Sequence, residues 1–130
     1  MLLISTFSVT NTFAEWDFVT VTPPQLVDTE GNNLQSAKVG QLVVVSTAIV
    51  NSSPAETPFV VFVEARDEQG VTVYSQFGLG LIDTNQRSEI GQSWSPDNEG
   101  KYLFRAFAIG DFTTHTPLST IVQSEIIVTP

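Results

Sequence analysis

Cysteine is missing altogether from these 130 residues. That one absence removes disulfide staples, thiolate metal sites and thiol nucleophiles. Positive charge is scarce: 5 Lys and Arg stand against 14 Asp and Glu, for a formal net charge of −9. A chain so poor in cations cannot displace the counterions of a phosphate backbone, so nucleic acid is not a suitable partner, and neither is an anionic lipid surface. Histidine occurs once, at His115. A single imidazole without thiols cannot build a zinc or blue-copper site within the chain. Helical patterning is wanting too, since no window repeats apolar residues at helical spacing for three turns. No apolar run approaches the ~20 residues that span a bilayer, so no membrane span is expected.

What is present is β. Val, Ile, Thr, Phe and Tyr recur in short runs broken by Gly, Pro, Asn and Asp. The longer runs are Leu42 to Val50, Phe59 to Arg66, Val71 to Phe77, Arg87 to Trp94, Tyr102 to Ile109 and Thr120 to Val128. With shorter pieces ahead of them, such as Val19-Thr20-Val21, they make about seven strands. The length suits one domain, and a hydrophobic content of 42% is enough for a core without staples. The expected fold is all-β: a two-sheet antiparallel sandwich of immunoglobulin or fibronectin type III kind, over residues 15–130.

Alternation assigns the faces. Val43, Val45, Thr47 and Ile49 should point inward, as should Val61, Val63 and Ala65, because Glu64 and Arg66 must face water. Tyr102, Phe104, Ala106 and Ala108 should be buried for the same reason, with Arg105 on the other face. Trp94 and Tyr102 are the structural core residues that the pattern singles out. Trp94 should pack across the sandwich where antibody domains place a disulfide and its Trp. Tyr102, opening its strand, should tie its hydroxyl to nearby backbone in the manner of a tyrosine corner. Asp67-Glu68-Gln69-Gly70 has the composition of a tight hairpin turn. Gly78-Leu79-Gly80 is expected to mark a bulge or a crossing between sheets.

Lys38-Val39-Gly40-Gln41 before a Val-rich strand ending in Val50-Asn51, then Asp67-Glu68-Gln69-Gly70-Val71, then Trp94-Ser95-Pro96 followed by Gly100-Lys101-Tyr102, resemble the CARDB-like immunoglobulin-like domains of bacteria and archaea. The resemblance runs from about Val21 to Val128 and is nearest to the small repeats of archaeal cell-surface and secreted proteins. It implies adhesion, surface-layer or spacer roles, and it carries over no catalytic residue.

Residues 1–14 differ in kind. Met1 to Val9 is apolar and uncharged, and Thr12 and Ala14 resemble a signal-peptidase site, with cleavage after Ala14. The Lys or Arg that normally precedes such a run is absent. Two readings stand: the remnant of a signal peptide, or an extra N-terminal strand.

The residues that could carry chemistry are few. His115 lies in a Thr-rich loop with no acid and nucleophile pattern around it, so no catalytic residue is assigned. The acidic pairs Asp28 with Glu30, Asp67 with Glu68, and Asp97 with Glu99 sit at hairpin ends, where carboxylates serve turns. No EF-hand run occurs, and no metal or cofactor is assigned. Asn51-Ser52-Ser53 is a glycosylation sequon, with Asn51 as the candidate acceptor and a plain turn Asn as the alternative. Phe62 and Phe107 fall on the faces opposite the buried set and are the candidate contact surface. Ser124 to Val128 is the expected sheet edge.

These observations point to an exported, non-catalytic structural or adhesive module of the cell surface, contacting a protein partner or a neighbouring domain. A small carbohydrate-binding module is the alternative, which needs a coplanar platform of aromatics such as Trp16 and Phe112 for a glycan. A third reading has Leu2 to Val9 donated as a strand to a neighbour, building a filament.

Overall fold

The computed structural model describes residues 19–130. Their strands are β1 (Val19–Val21), β2 (Gln25–Val27), β3 (Asn33–Leu34), β4 (Ser36–Lys38), β5 (Val43–Asn51), β6 (Thr57–Arg66), β7 (Thr72–Ile82), β8 (Gln86–Trp94), β9 (Gly100–Ile109) and β10 (Val122–Thr129). In the first sheet β8 runs antiparallel along the whole of β5, while β1 and β2 pair with separate stretches of β5 and β3 pairs with β2. Since β8 occupies one edge of β5, β1 and β2 must share the other. The second sheet has the order β4-β10-β9-β6-β7, antiparallel except where β4 lies parallel to β10.

The inward faces are those that alternation assigned. Val43, Val45, Thr47 and Ile49 of β5 are buried, as are Val61, Val63 and Ala65 of β6 and Tyr102, Phe104, Ala106 and Ala108 of β9. A slip of one residue in any of these strands would have exposed its whole set. Trp94 leaves β8 in the first sheet and meets the second sheet edge-on, 5.3 Å from Tyr102, 5.0 Å from Phe104 and 6.2 Å from Tyr74 between ring centroids. An aromatic block thus holds the two sheets together where antibody domains place a disulfide. Burial in this block pushes the Tyr74 phenol up to about 12. Tyr102 Oη donates to the Asn98 carbonyl at 2.6 Å, closing the Pro96–Glu99 turn as a tyrosine corner does. Gly100 releases β9 from that turn at φ +138, and a Cβ there would meet Glu68 Oε1 at 2.8 Å.

Three expectations are corrected. The strand count is ten among the described residues rather than about seven, because β3 and β4 are too short to leave a periodic signal. Gly78-Leu79-Gly80 is neither a bulge nor a crossing: the ladder with β6 runs through it, and the register shifts instead between Ala65 and Arg66. The two glycines make room, since a Cβ at Gly78 would lie 3.2 Å from Ile90 Cγ2 and one at Gly80 3.4 Å from the Phe59 ring. The chain changes sheets after that, in the turn between Ile82 and Gln86. Finally, Ser124 to Val128 is no full edge, because β4 covers Ile127 to Thr129 of β10. Among the described residues the long edge of this sheet is β7, which pairs with β6 alone. Residues 1–14, Trp16 and Phe18 lie outside the described residues.

Candidate functional site

Alternation that buries Val61 and Val63 turns Phe62 outward, and the registers of β6 set Phe77 on one side of it and Phe107 on the other. Phe62 stacks on Phe107 with centroids 5.3 Å apart and an interplanar angle of 22°, and it lies 6.1 Å from Phe77. A fourth ring, Phe112, comes from the β9–β10 loop and stands edge-on to Phe62 at 5.9 Å and to Phe77 at 5.2 Å. Asp111 holds that loop: its Oδ1 accepts from the Thr113 and Thr114 amides at 2.8 and 2.7 Å. Gly110 N–H donates to the Thr116 carbonyl at 2.8 Å, and His115 adopts φ 56 to complete the return. The Thr114 amide foremost holds the Asp111 carboxyl below the usual carboxylate range.

The face is apolar and open. Phe77 is 51% exposed and Phe112 47%, flanked by Leu79 and Leu81 at 65% each and by Ile121 at 53%. Beside the rings, Phe107, Ile109, Pro117 and Ile121 line a hollow of about 400 Å³. Farther along the same face the character changes. Glu64 Oε1 accepts from Arg105 Nη1 at 3.0 Å and lies 3.3 Å from Arg66 Nη2. The outward surface of the second sheet is therefore divided into an uncharged aromatic half and a charge-paired half. Phenylalanine offers no proton and no metal ligand, so the aromatic half can bury surface but cannot do acid–base chemistry.

Asn51 does not fit the acceptor role. Its side chain is fully buried, and Nδ2 donates to the Ile82 carbonyl at 2.9 Å, the Ala55 carbonyl at 3.0 Å and Thr57 Oγ1 at 3.3 Å. Oδ1 accepts from Ser53 N–H at 3.0 Å. The amide that a glycan would occupy ties the end of β5 to the start of β6 and the end of β7, which is the turn reading raised to a buried network. The acidic pairs serve turns in the same way: Asp28 Oδ1 accepts from the amides of Glu30 and Asn32, and Asp67 Oδ1 from those of Gln69 and Val71. Among the described residues no three His, Asp or Glu side chains gather as metal ligands. His115 is exposed in the loop, its amide donating to the Asp111 carbonyl.

No family model matches the chain, and no curated protein matches it in sequence. Solved structures do match in shape. The C-terminal domain of wzt superposes with a TM-score of 0.73 at 14% identity, over 87% of this chain and 74% of that one. A CARDB domain from Pyrococcus furiosus, solved in complex with di-metal ions, gives 0.55 at 15% identity over 85% of each chain. This is a CARDB-like, immunoglobulin-like fold. The same sandwich also superposes on a part of a glycoside hydrolase family 2 β-glucuronidase, with a TM-score of 0.64 at 10% identity, over 85% of this chain and 12% of the enzyme. At such identities the likeness concerns the fold alone.

Within the CARDB-like sandwich, Phe62 and Phe107 lie where the sequence pattern placed them, and the fold brings them together. Phe112, which the glycan reading had named, joins the face together with Ile121; Phe77, Leu79 and Leu81 complete it and had no assigned role. Their signal was the run Phe77-Gly78-Leu79-Gly80-Leu81, in which every second residue is large and apolar.

Proposed function

We propose that the chain is a non-catalytic module of the cell surface, exported behind its apolar N-terminal run, that contacts protein through the aromatic half of its second sheet. The gathering of Phe62, Phe77, Phe107 and Phe112 on one open face carries this reading. A contiguous apolar face rimmed by polar residues marks an interaction site in a soluble domain, and aromatic anchors dominate the energetics of such sites. The CARDB-like fold and the scarcity of convergent titratable groups support a contact role over chemistry.

The experiment is site-specific photo-crosslinking in the native host with the reactive residue at position 112. The crosslinked protein is then purified and its binding to the chain measured. Phe77→Ser should weaken that binding by about tenfold or more, because truncating a central aromatic anchor removes ~1–2 kcal/mol or more. Full affinity in Phe77→Ser and Phe112→Ser would reject the face. Intact mass from the same host tests export: a chain beginning at Glu15 supports it, and one retaining Met1 removes it.

Carbohydrate binding is the second reading, favoured by the same clustering of aromatics. Against it, Phe112 stands at 89° to Phe62 and 85° to Phe77, so neighbouring rings offer edges and not one flat platform. Binding on a glycan array that is lost in Phe112→Ser would move the assignment to sugar.

A further inference from the structure

We propose that the outward face of the second sheet docks an acidic protein segment, taking its apolar side chains on the aromatic half and its carboxylates on Arg66 and Arg105. This rests on the contact reading above and names the chemistry of the partner. Charge is sorted unevenly along the chain. The strands of the second sheet hold Lys38, Arg66, Lys101 and Arg105, four of the five cations, against Glu64 and Glu125 alone. Each of the six follows or precedes a buried residue of its strand, so all of them face outward. These strands are thus net +2 where the whole chain is −9, and the rest, with Arg87 and 12 acidic residues, carries −11. Glu68 Oε1 accepts from the Lys101 amide at 3.3 Å, which leaves Arg66 and Arg105 as the centre of attraction for an acid.

The registers put the two kinds of side chain in neighbouring rows. Phe77, Phe62 and Phe107 form one row across β7, β6 and β9, and Ser75, Glu64 and Arg105 form the next. Rows on one face are two residues apart, about 6.7 Å. An extended partner segment repeats at the same interval. An apolar residue over the phenylalanines therefore sets an acid two positions along over the guanidiniums. Glu64 is shared: its Oε1 lies 3.0 Å from Arg105 Nη1 and 3.3 Å from Arg66 Nη2. A second carboxylate still has donors to meet, because Arg66 Nε is buried with no hydrogen-bond partner while the side chain as a whole is 42% exposed. Turning Nε and Nη2 together to a carboxylate forms the forked pair that guanidinium favours, and no bond at Nε is given up. Four cations are too few for a polyanionic backbone, and the edge-on rings give a sugar no flat platform, so the acid belongs to protein.

The test is titration of the full chain into fluorescent peptides of Thr and Val that carry one Phe and, two positions along, either Glu or Gln. Net charge alone ranks the Gln peptide first, since a chain of −9 repels an acid. The expected result is the reverse, a preference for Glu of about fivefold, the worth of one guanidinium–carboxylate pair at a surface, that vanishes in about 1 M salt. Arg66→Gln and Arg105→Gln should each reduce the preference, with circular dichroism showing the strands intact. Arg87→Gln changes the net charge equally but lies on the first sheet, and it should keep the preference. Phe77→Ser should weaken both peptides alike. Equal affinity for Glu and Gln, weakened by Phe77→Ser, overturns this proposal and leaves the aromatic contact standing. Full affinity in Phe77→Ser overturns the aromatic reading and this proposal with it. A preference for Glu that survives both arginine substitutions, or one lost equally in Arg87→Gln, also overturns it, as does the absence of binding by either peptide at about 1 mM.

Discussion

Replacing Asn51 by alanine separates a buried structural amide from a glycan acceptor. In the folded chain the side chain makes short hydrogen bonds to the Ile82 carbonyl, the Ala55 carbonyl and the Ser53 amide, at 2.9, 3.0 and 3.0 Å. Each such bond contributes about 1 kcal/mol net, and a partner left buried without a substitute costs at least as much. Asn51→Ala should therefore cost about 3 kcal/mol. At roughly 3–5 °C per kcal/mol for a domain of this size, Tm should fall by about 10–15 °C. Ser53→Ala is the matched control. It destroys the sequon equally but removes only a partly exposed hydroxyl bonded to the Ala55 carbonyl at 2.8 Å and lying 3.2 Å from Thr57 Oγ1, for a loss of about 0.5–1 kcal/mol. The assay is thermal and urea unfolding of both variants beside the native chain, with intact mass from a glycosylating host. Equal, small effects of the two substitutions would refute the network. A hexose-bearing mass on folded native protein, lost in both variants, would refute the burial of the amide.

Two further outcomes follow from the turns. Tyr102→Phe deletes the 2.6 Å bond to the Asn98 carbonyl while leaving the ring against Trp94, so urea unfolding should show a loss of about 1–1.5 kcal/mol with an unchanged m-value. An undiminished midpoint would mean that the hydroxyl has an equally good partner in water. Asp111 has a folded pKa held below 3.8, so its contribution to loop order is present above that value and is lost as pH falls through the lower folded pKa. Phe112 ring resonances should therefore shift with a midpoint below 3.8, and Asp111→Asn should abolish that transition; a midpoint at or above 3.8 would remove the capping role.

Alternation is a local property, and it carried the sequence a long way. Once Glu64, Arg66 and Arg105 are required to face water, the period of two buries Val61, Val63, Ala65, Phe104 and Ala106 without knowledge of any partner strand. The Trp94–Tyr102 stretch likewise announced its own turn and a backbone tie for the Tyr102 hydroxyl, which the structure gives to the Asn98 carbonyl. Phe62 and Phe107 could be turned outward by the same rule. That they stack on one another could not, because it depends on a pairing between strands some forty residues apart. Phe77 was hidden by a smaller effect. Counting back from the Asp67–Gly70 turn gives its face only if the shift between Ala65 and Arg66 is known, and a one-residue irregularity reverses every face beyond it.

The sequence alone thus determined the class of fold, the inward faces and the exclusion of thiol chemistry. These depend on composition and on periods of a few residues. Tertiary structure decided which strands are neighbours, and with them everything specific about the surface. It enclosed Asn51 by bringing Ile82 to its amide, 31 positions along the chain. It gathered four phenylalanines from β6, β7, β9 and a loop into one face. Among the described residues it left β7 at the border of its sheet while β10 received β4. Whether a side chain is covered depends on what the rest of the chain lays beside it, and no local pattern records that.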